Sequence, residues 1–138
     1  VHPMRNIPSR LSHLARAALV TGLVVASSLA NALEVKPFSA ESLASAQKAG
    51  KPVAVHFHAD WCPTCRKQST VLTQLKSDKS LDAVTVLVAD YDAERELRKT
   101  LNVRTQSTLV VFKGTTERAR LAGETDSVKL ATALRSAL

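Results

Sequence analysis

The amino-acid sequence predicts an α/β fold in a single domain, and two observations support this. The hydrophobic pattern changes period several times along the chain, from short β-branched runs to segments with apolar residues three or four positions apart. The chain has 138 residues, 45% of them hydrophobic, which is enough for one hydrophobic core and too few for two cores of ordinary size. We therefore expect strands and helices alternating around one sheet.

The first 32 residues have the three parts of a secretory signal peptide. Three arginines precede an apolar stretch over residues 17–26, and Ala30-Asn31-Ala32 supplies the small residues of a cleavage site. Cleavage after Ala32 leaves residues 33–138 as the mature domain. The alternative is an uncleaved membrane anchor, but the stretch is interrupted by polar residues and is short for a span of about 20 residues. We expect a periplasmic protein without stable membrane insertion.

The charge of the chain argues against nucleic-acid binding. The formal net charge is +7, but three of the nineteen basic residues lie in the leader, which leaves sixteen against twelve acidic residues and a net +4. These basic residues are scattered among acidic ones, and few aromatic residues accompany them. The sequence predicts a mildly basic solvated surface and no nucleic-acid partner.

The elements before the central motif follow from start and stop signals. A short strand is expected at residues 35–38, and Ser39 then caps a helix that runs to about Ala49 and ends at Gly50. Residues 53–58 are apolar and β-branched, which favours a buried strand. A second helix is expected over residues 62–76, with Pro63 in its first turn.

The second half of the mature chain continues the alternation. Residues 84–89 are expected to form a strand, and Asp92 is expected to cap a helix that stops at Asn102. Two more strands are expected at residues 108–112 and 118–121, and Gly123 separates them from a last helix. The expected inner side of that helix comprises Val128, Leu130, Ala131 and Leu134.

The two cysteines of the chain form a Cys-x-x-Cys motif, Cys62-Pro63-Thr64-Cys65. At the first turn of a helix, partial positive charge and unpaired N–H groups stabilise the thiolate of Cys62 and lower its pKa. Cys62 is therefore the predicted nucleophile, and Cys65 is the resolving thiol that releases a mixed disulfide. A structural disulfide is the alternative, but a closed loop of about four residues contributes only about 1.9 kcal/mol, against about 3 for fifteen residues.

With its context, the motif is similar to the active-site segment of the thioredoxin family. The resemblance covers nearly all of the mature chain. It is carried by the segments Phe57-His58-Ala59-Asp60-Trp61-Cys62-Pro63-Thr64-Cys65, Asp90-Tyr91-Asp92, Leu101-Asn102-Val103-Arg104, Thr108-Leu109-Val110-Val111-Phe112-Lys113 and Gly123. The resemblance implies a central mixed sheet with helices on both faces and the dithiol at the end of a strand. It also implies a thiol/disulfide oxidoreductase that uses no dissociable cofactor.

Two positions depart from the pattern of the family. His56 stands where the family has a buried acid that is thought to shuttle a proton for the resolving cysteine. It can accept a proton from Cys65, stabilise a thiolate as imidazolium, or be a core histidine hydrogen-bonded to backbone. Ser107 stands where the family has a cis-proline. Because a cis bond before a non-proline residue costs about 2.5 to 4 kcal/mol, a trans Gln106–Ser107 bond is expected.

Several further hypotheses concern the surroundings of the dithiol. Trp61, Gln106 and Ser107 are candidate substrate contacts, and the Ser107 hydroxyl is a candidate donor to the Cys62 thiolate. No resident metal is expected, but the rival hypothesis is a copper or zinc chaperone that uses the two cysteines with His56 or His58. A redox-inert peptide-binding module is disfavoured because both cysteines are present.

The partners implied by the resemblance are protein thiols and disulfides. A membrane thiol-reducing system and a protein-folding substrate are the leading candidates.

Overall fold

The computed structural model of the protein describes residues 32–138. The signal peptide predicted over residues 1–32 lies outside this range except for its last residue, Ala32. The described residues form one five-stranded mixed sheet covered by helices. This architecture confirms the predicted α/β class and the thioredoxin-like arrangement.

The sheet combines parallel and antiparallel pairing. Its strands are β1 (Glu34–Pro37), β2 (Pro52–His58), β3 (Thr85–Asp90), β4 (Thr108–Lys113) and β5 (Thr116–Ala122). Their order across the sheet is β1-β3-β2-β4-β5. The first three strands run parallel to one another, whereas β4 is antiparallel to β2 and β5 is antiparallel to β4. The central strand β2 therefore has a neighbour on each side.

Four α-helices of the described range cover the two faces of the sheet, and two short 3₁₀ helices, Leu75–Ser77 and Lys79–Leu81, follow the second of them. The α-helices are α1 (Ala40–Lys48), α2 (Pro63–Gln74), α3 (Arg95–Thr100) and α4 (Ser127–Arg135). One core cluster joins buried residues of α2 and α4 to one face, and the other joins α1 and α3 to the opposite face. In the part of the chain described, no helix is both long and apolar enough for a membrane span.

The start and stop signals read from the sequence act as expected at several helix ends. The Ser39 hydroxyl accepts the Ser42 N–H at 3.1 Å and caps α1. Gly50 follows α1 with φ +66°, and Asn102 follows α3 with φ +52°, a conformation that Asn tolerates better than most residues. Both positions end their helices as predicted.

The prediction that Asp92 caps the third helix is wrong. Helix α3 begins only at Arg95, and no side chain caps it. The Asp90 carboxylate accepts the N–H groups of Asp92 and Ala93 at 2.8 and 3.1 Å, so a turn forms before the helix starts. The Asp92 carboxylate instead accepts the indole N–H of Trp61 at 2.8 Å.

The expected inner side of the last helix is wrong at one position. Leu130, Ala131 and Leu134 are buried as predicted, but Val128 is 69% exposed. Val128 lies one helical turn before Thr132, which is also exposed, because residues four apart share a face. The buried stripe of α4 therefore begins at Leu130.

The sheet brings three distant parts of the chain to one place. Strand β2 ends at His58, and the chain then turns into α2, with the Cys62 N–H donating to the carbonyl of Ala59 at 3.0 Å. Ser107 comes directly before β4, the antiparallel neighbour of β2. Its N–H donates to the Phe57 carbonyl at 2.9 Å. The dithiol and Ser107 therefore meet at the carboxyl end of β2.

Candidate functional site: a dithiol at the start of helix α2

Cys62 caps helix α2 with its sulfur atom. Its backbone is extended, with φ −93° and ψ 111°, and its Sγ accepts the Cys65 N–H at 3.1 Å. Pro63 occupies the first turn, where its missing N–H leaves no hydrogen bond unmade. The sulfur thus replaces the side-chain oxygen of an ordinary N-cap, in a position where the helix favours negative charge.

The Ser107 hydroxyl lies within hydrogen-bond distance of both sulfur atoms. Its Oγ is 3.2 Å from Cys62 Sγ and 3.0 Å from Cys65 Sγ. Both cysteines are thiols, and both are buried, with 3% and 0% of their surfaces exposed. The predicted nucleophile, the predicted resolving thiol and Ser107 therefore form one buried cluster.

Ser107 adopts a backbone conformation that is rare for a residue with a side chain. Its φ is +58°, in the left-handed region. No peptide bond within residues 32–138 is cis, so the Gln106–Ser107 bond is trans as expected. The Ser107 N–H donates to Phe57, and its carbonyl accepts the Gly123 N–H at 2.9 Å. Hydrogen bonds on both sides of the residue offset the cost of this conformation.

The surroundings of the two thiols move their pKa values in opposite directions. Burial pushes the pKa of Cys62 upward, but hydrogen bonds from the Cys65 thiol, the Ser107 hydroxyl and two backbone N–H groups lower it below its ordinary value. Burial raises the pKa of Cys65, and the hydrogen bond that its thiol donates to Cys62 raises it further. Cys62 is the thiol that more readily becomes a thiolate, which agrees with the role predicted for it.

His56 lies in β2 and is fully buried. It lies two residues after the buried Ala54 and on the same face of the strand, so its ring points to the face of the sheet that α2 covers. Neither ring nitrogen has a hydrogen-bond partner among the described residues. Burial, with a contribution from the nearby His58, lowers the pKa of His56 to about 4, against which Gln68 acts in the opposite direction. The ring is therefore neutral near neutral pH, and its role as a proton acceptor stays a prediction.

Both ring nitrogens of His58 lie within hydrogen-bond distance of neighbouring side chains. Its Nδ1 is 3.2 Å from the Ser69 hydroxyl, and its Nε2 is 3.1 Å from the Asp60 carboxylate. Within residues 32–138, no three His, Cys, Asp or Glu side chains lie together as a metal-binding group. The copper or zinc hypothesis receives no support from this arrangement.

Aromatic side chains form the rim of the site. Trp61 is 59% exposed beside Cys62, and its hydrogen bond to Asp92 fixes its ring. Tyr91 packs against the cluster of Ala59 and the two cysteines, and it carries the Arg98 guanidinium 4.0 Å above its ring. Gln106, also predicted as a substrate contact, is half-buried next to Ser107. Trp61 is therefore accessible beside the dithiol, and its role as a substrate contact stays a prediction.

Sequence reasoning missed one buried residue of the site, Gln68. Its side chain is fully buried, and its Nε2 donates to the carbonyls of Ser107 and Glu124 at 3.2 and 2.7 Å. A signal was present in the sequence. Gln68 lies three residues after Cys65 and three before Val71, so it is a polar residue on the apolar stripe of the predicted helix.

Comparison with known proteins shows the family. The thioredoxin family model matches residues 34–136. The chain belongs to the thioredoxin family. Its relatives include the protein disulfide-isomerase erp38 of Neurospora crassa, which is 36% identical over 106 residues, or 72% of this chain and 28% of that protein. The thioredoxin of Mycolicibacterium smegmatis is 31% identical over 103 residues, or 73% of this chain and 88% of that protein.

Solved structures of other proteins have folds similar to that of this thioredoxin-family chain. Trxlp from Edwardsiella tarda EIB202 superimposes with a TM-score of 0.70 at 33% identity, covering 73% of this chain and 98% of that one. Thioredoxin O2 from Arabidopsis thaliana in its oxidised state gives a TM-score of 0.60 at 33% identity, covering 74% and 90%. The chain spans 28% of the Neurospora protein and 62% of a thioredoxin of Mycobacterium tuberculosis.

Substitution of Ser107 is predicted to raise the pKa of Cys62. In Ser107→Ala the hydroxyl that supports the thiolate is lost, so the midpoint of Cys62 alkylation by iodoacetamide should rise by about one to two pH units, the size of one charge-assisted hydrogen bond. Thr105→Ala is the matched control, because it removes a hydroxyl from the same loop that bonds to Thr108 rather than to sulfur. Equal midpoints for wild type and Ser107→Ala would contradict this account.

His56 is predicted to make the protein less stable in acid. Because the folded-state pKa of His56 is about 4, below its ordinary 6.5, the unfolded chain binds a proton first as the pH falls. The contribution to stability is complete above about pH 6.5 and is lost as the pH falls toward 4. Between pH 7 and pH 4.5, the free energy of unfolding of His56→Leu should fall by about 2 kcal/mol less than that of wild type, as measured by denaturant unfolding. The same loss in both proteins would refute the assignment.

Proposed function

We propose that the protein is an exported thiol/disulfide oxidoreductase that exchanges disulfides with protein thiols. The single observation that carries the proposal is the asymmetry of the two thiols around Ser107. Cys62 caps α2 with a pKa below its ordinary value, whereas the pKa of Cys65 is raised. In such a pair, one thiol is readily deprotonated and can attack a disulfide, while the other stays protonated until the second step.

The exchange is a sequence of two displacements. The Cys62 thiolate attacks one sulfur of a partner disulfide, forms a mixed disulfide with it and releases the other sulfur as a thiolate. Cys65 then loses its proton and attacks Cys62 Sγ, which forms the Cys62–Cys65 disulfide and releases the second partner thiol. The partner gains two electrons and the protein loses two, and the reverse sequence oxidises a partner dithiol.

The relatives support this reaction class. They include proteins named thioredoxin and protein disulfide-isomerase, and a solved relative was captured in its oxidised state. The backbone N–H of Cys65 points at Cys62 Sγ before any partner binds. This N–H therefore stabilises the negative charge that the Cys62 thiolate carries before it attacks.

Export and the choice of partners form the finer part of the proposal. The leader read in the sequence supports export, and Leu33 is buried in the core, so cleavage after Ala32 leaves the described core intact. An exported dithiol is separated from the cytosolic thiols that keep cysteines reduced. We therefore propose that a membrane thiol-reducing system exchanges electrons with Cys62 and Cys65.

A variant without the resolving thiol is predicted to accumulate mixed disulfides. In Cys65→Ser the second displacement is blocked, so incubation with a disulfide protein such as insulin should give a covalent complex through Cys62, visible on non-reducing gels and released by dithiothreitol. Cys62→Ser is the control and should give none. The same complex with Cys62→Ser, or none with Cys65→Ser, would contradict the assigned roles.

Processing of the leader is predicted to occur after Ala32. When the full chain is produced in a bacterium with a periplasm, the exported protein should have Leu33 as its first residue by mass spectrometry. Ala32→Lys removes a small residue that the cleavage site requires, and it should block processing. Asn31→Lys places the same charge between the two alanines and should still be processed. A product that keeps the leader in wild type would refute cleavage.

A further inference from the structure

The position of Ser107 has to be maintained against a conformational cost. A left-handed backbone is energetically unfavourable for a residue with a side chain. Such a conformation persists only where the surrounding structure holds it. Two backbone hydrogen bonds hold Ser107 to the sheet and to the loop at Gly123. Neither of them joins Ser107 to α2, the helix that carries the two cysteines.

Gln68 joins the backbone of Ser107 to α2, in addition to the contacts of the Ser107 hydroxyl with the two sulfur atoms. It lies on the same face of the helix as Cys65, three residues further on. Its Nε2 donates to the Ser107 carbonyl at 3.2 Å and to the Glu124 carbonyl at 2.7 Å. The amide therefore joins the cysteine helix to two separate loops through one nitrogen atom.

The chemistry of this position is specific to a primary amide. Two carbonyl oxygens face the side chain, so the group between them must donate two protons at once. A carboxylate donates none, and an apolar side chain of the same length leaves two buried carbonyls with fewer donors. The two carbonyls also fix which end of the Gln68 amide faces them, because only its nitrogen carries protons.

The far anchor of this link, the Glu124 loop, has hydrogen bonds of its own. The Glu124 carboxylate accepts the N–H groups of Thr125 and Asp126 at 3.0 and 2.8 Å, and it pairs with Lys129 at 3.1 Å. The loop that offers its carbonyl to Gln68 is therefore bound to the start of α4. A displacement of Ser107 away from the sulfurs therefore breaks the hydrogen bond from Gln68 to Ser107 or the one from Gln68 to Glu124.

We propose that Gln68 is a positioning residue of the dithiol, whose amide ties the Ser107 loop to α2 and keeps the Ser107 hydroxyl against both sulfur atoms. This inference rests on the proposed function for its biological meaning, but it concerns the reduced protein alone. Among the described residues, no hydrogen bond joins Gln68 to either sulfur, and its effect on the thiols passes through Ser107.

The test compares Gln68→Met with wild type by the pH profile of Cys62 alkylation. Methionine has a similar length and no donor, so the Ser107 carbonyl loses the hydrogen bond that it receives from α2. The alkylation midpoint should rise by up to about two pH units, as expected when a charge-assisted hydrogen bond is lost. Gln74→Met makes the same change at an exposed position of the same helix and should leave the midpoint unchanged. An unchanged midpoint in a folded Gln68→Met protein would overturn the proposal.

A double-mutant cycle separates positioning from a merely structural role. If Gln68 acts through the Ser107 hydroxyl, Gln68→Met should not move the midpoint when Ser107→Ala is already present. The same shift in both backgrounds would overturn the proposal, even if Gln68→Met also lowers stability. Because no disulfide substrate enters these measurements, a failure of disulfide exchange and a failure of positioning give different results.

The wild-type protein offers a measurement that needs no folded variant. The side-chain amide protons of Gln68 should exchange slowly with solvent, because both are buried and bonded to carbonyls. Those of the exposed Gln74 should exchange freely. Rapid exchange at Gln68 would show that the link does not persist and would overturn the proposal.

Discussion

One hydroxyl group between two sulfur atoms organises the site of this protein. Ser107 Oγ is within 3.2 Å of Cys62 Sγ and within 3.0 Å of Cys65 Sγ, inside a region that almost no solvent reaches. In such surroundings burial alone disfavours both thiolates. The hydroxyl, the thiol of Cys65 and the N–H groups at the start of α2 together reverse that effect at Cys62 only. The difference between the two cysteines depends on where these donors point.

The central strand of the sheet, β2, positions these donors. Strand β2 lies between a parallel and an antiparallel neighbour, and its carboxyl end supplies both the turn into α2 and the acceptor for the Ser107 N–H. A serine in the left-handed region persists there because its own N–H and carbonyl are bonded. A proline at this position has no N–H to give to Phe57. Ser107 is therefore part of a differently bonded loop, rather than a simple replacement for the proline usual in the family.

Much of this architecture was accessible from the sequence because it depends on local signals. Ser39, Gly50 and Asn102 mark helix ends through their own backbone and side-chain preferences, and Cys62-x-x-Cys65 needs only a helix start to place both thiols together. The prediction that Asp92 caps a helix fails because the Asp90 carboxylate accepts the N–H groups of the turn, while the Asp92 carboxylate accepts the indole N–H of Trp61. Local sequence does not reveal that tertiary competition.

The same distinction explains Gln68 and His56. A buried glutamine on an apolar helix stripe signals a partner, but its partners are carbonyls 39 and 56 residues away, which only the folded chain brings near. His56 was recognised as unusual from its position, whereas the absence of hydrogen-bond partners among residues 32–138 appears only in the packed sheet. Long-range contacts of this kind set the properties of the site, and they depend on topology more than on any local pattern.

The central claim is that Cys62 and Cys65 form one reversible redox couple, and an equilibrium titration tests it most directly. The protein is equilibrated in buffers of graded glutathione redox ratio, and its free thiols are then counted by alkylation and mass spectrometry. The account predicts a single two-electron transition between a dithiol and a Cys62–Cys65 disulfide, fully reversed by reduction. Thiols that stay reduced throughout the series, or two cysteines that form separate glutathione adducts, would contradict it.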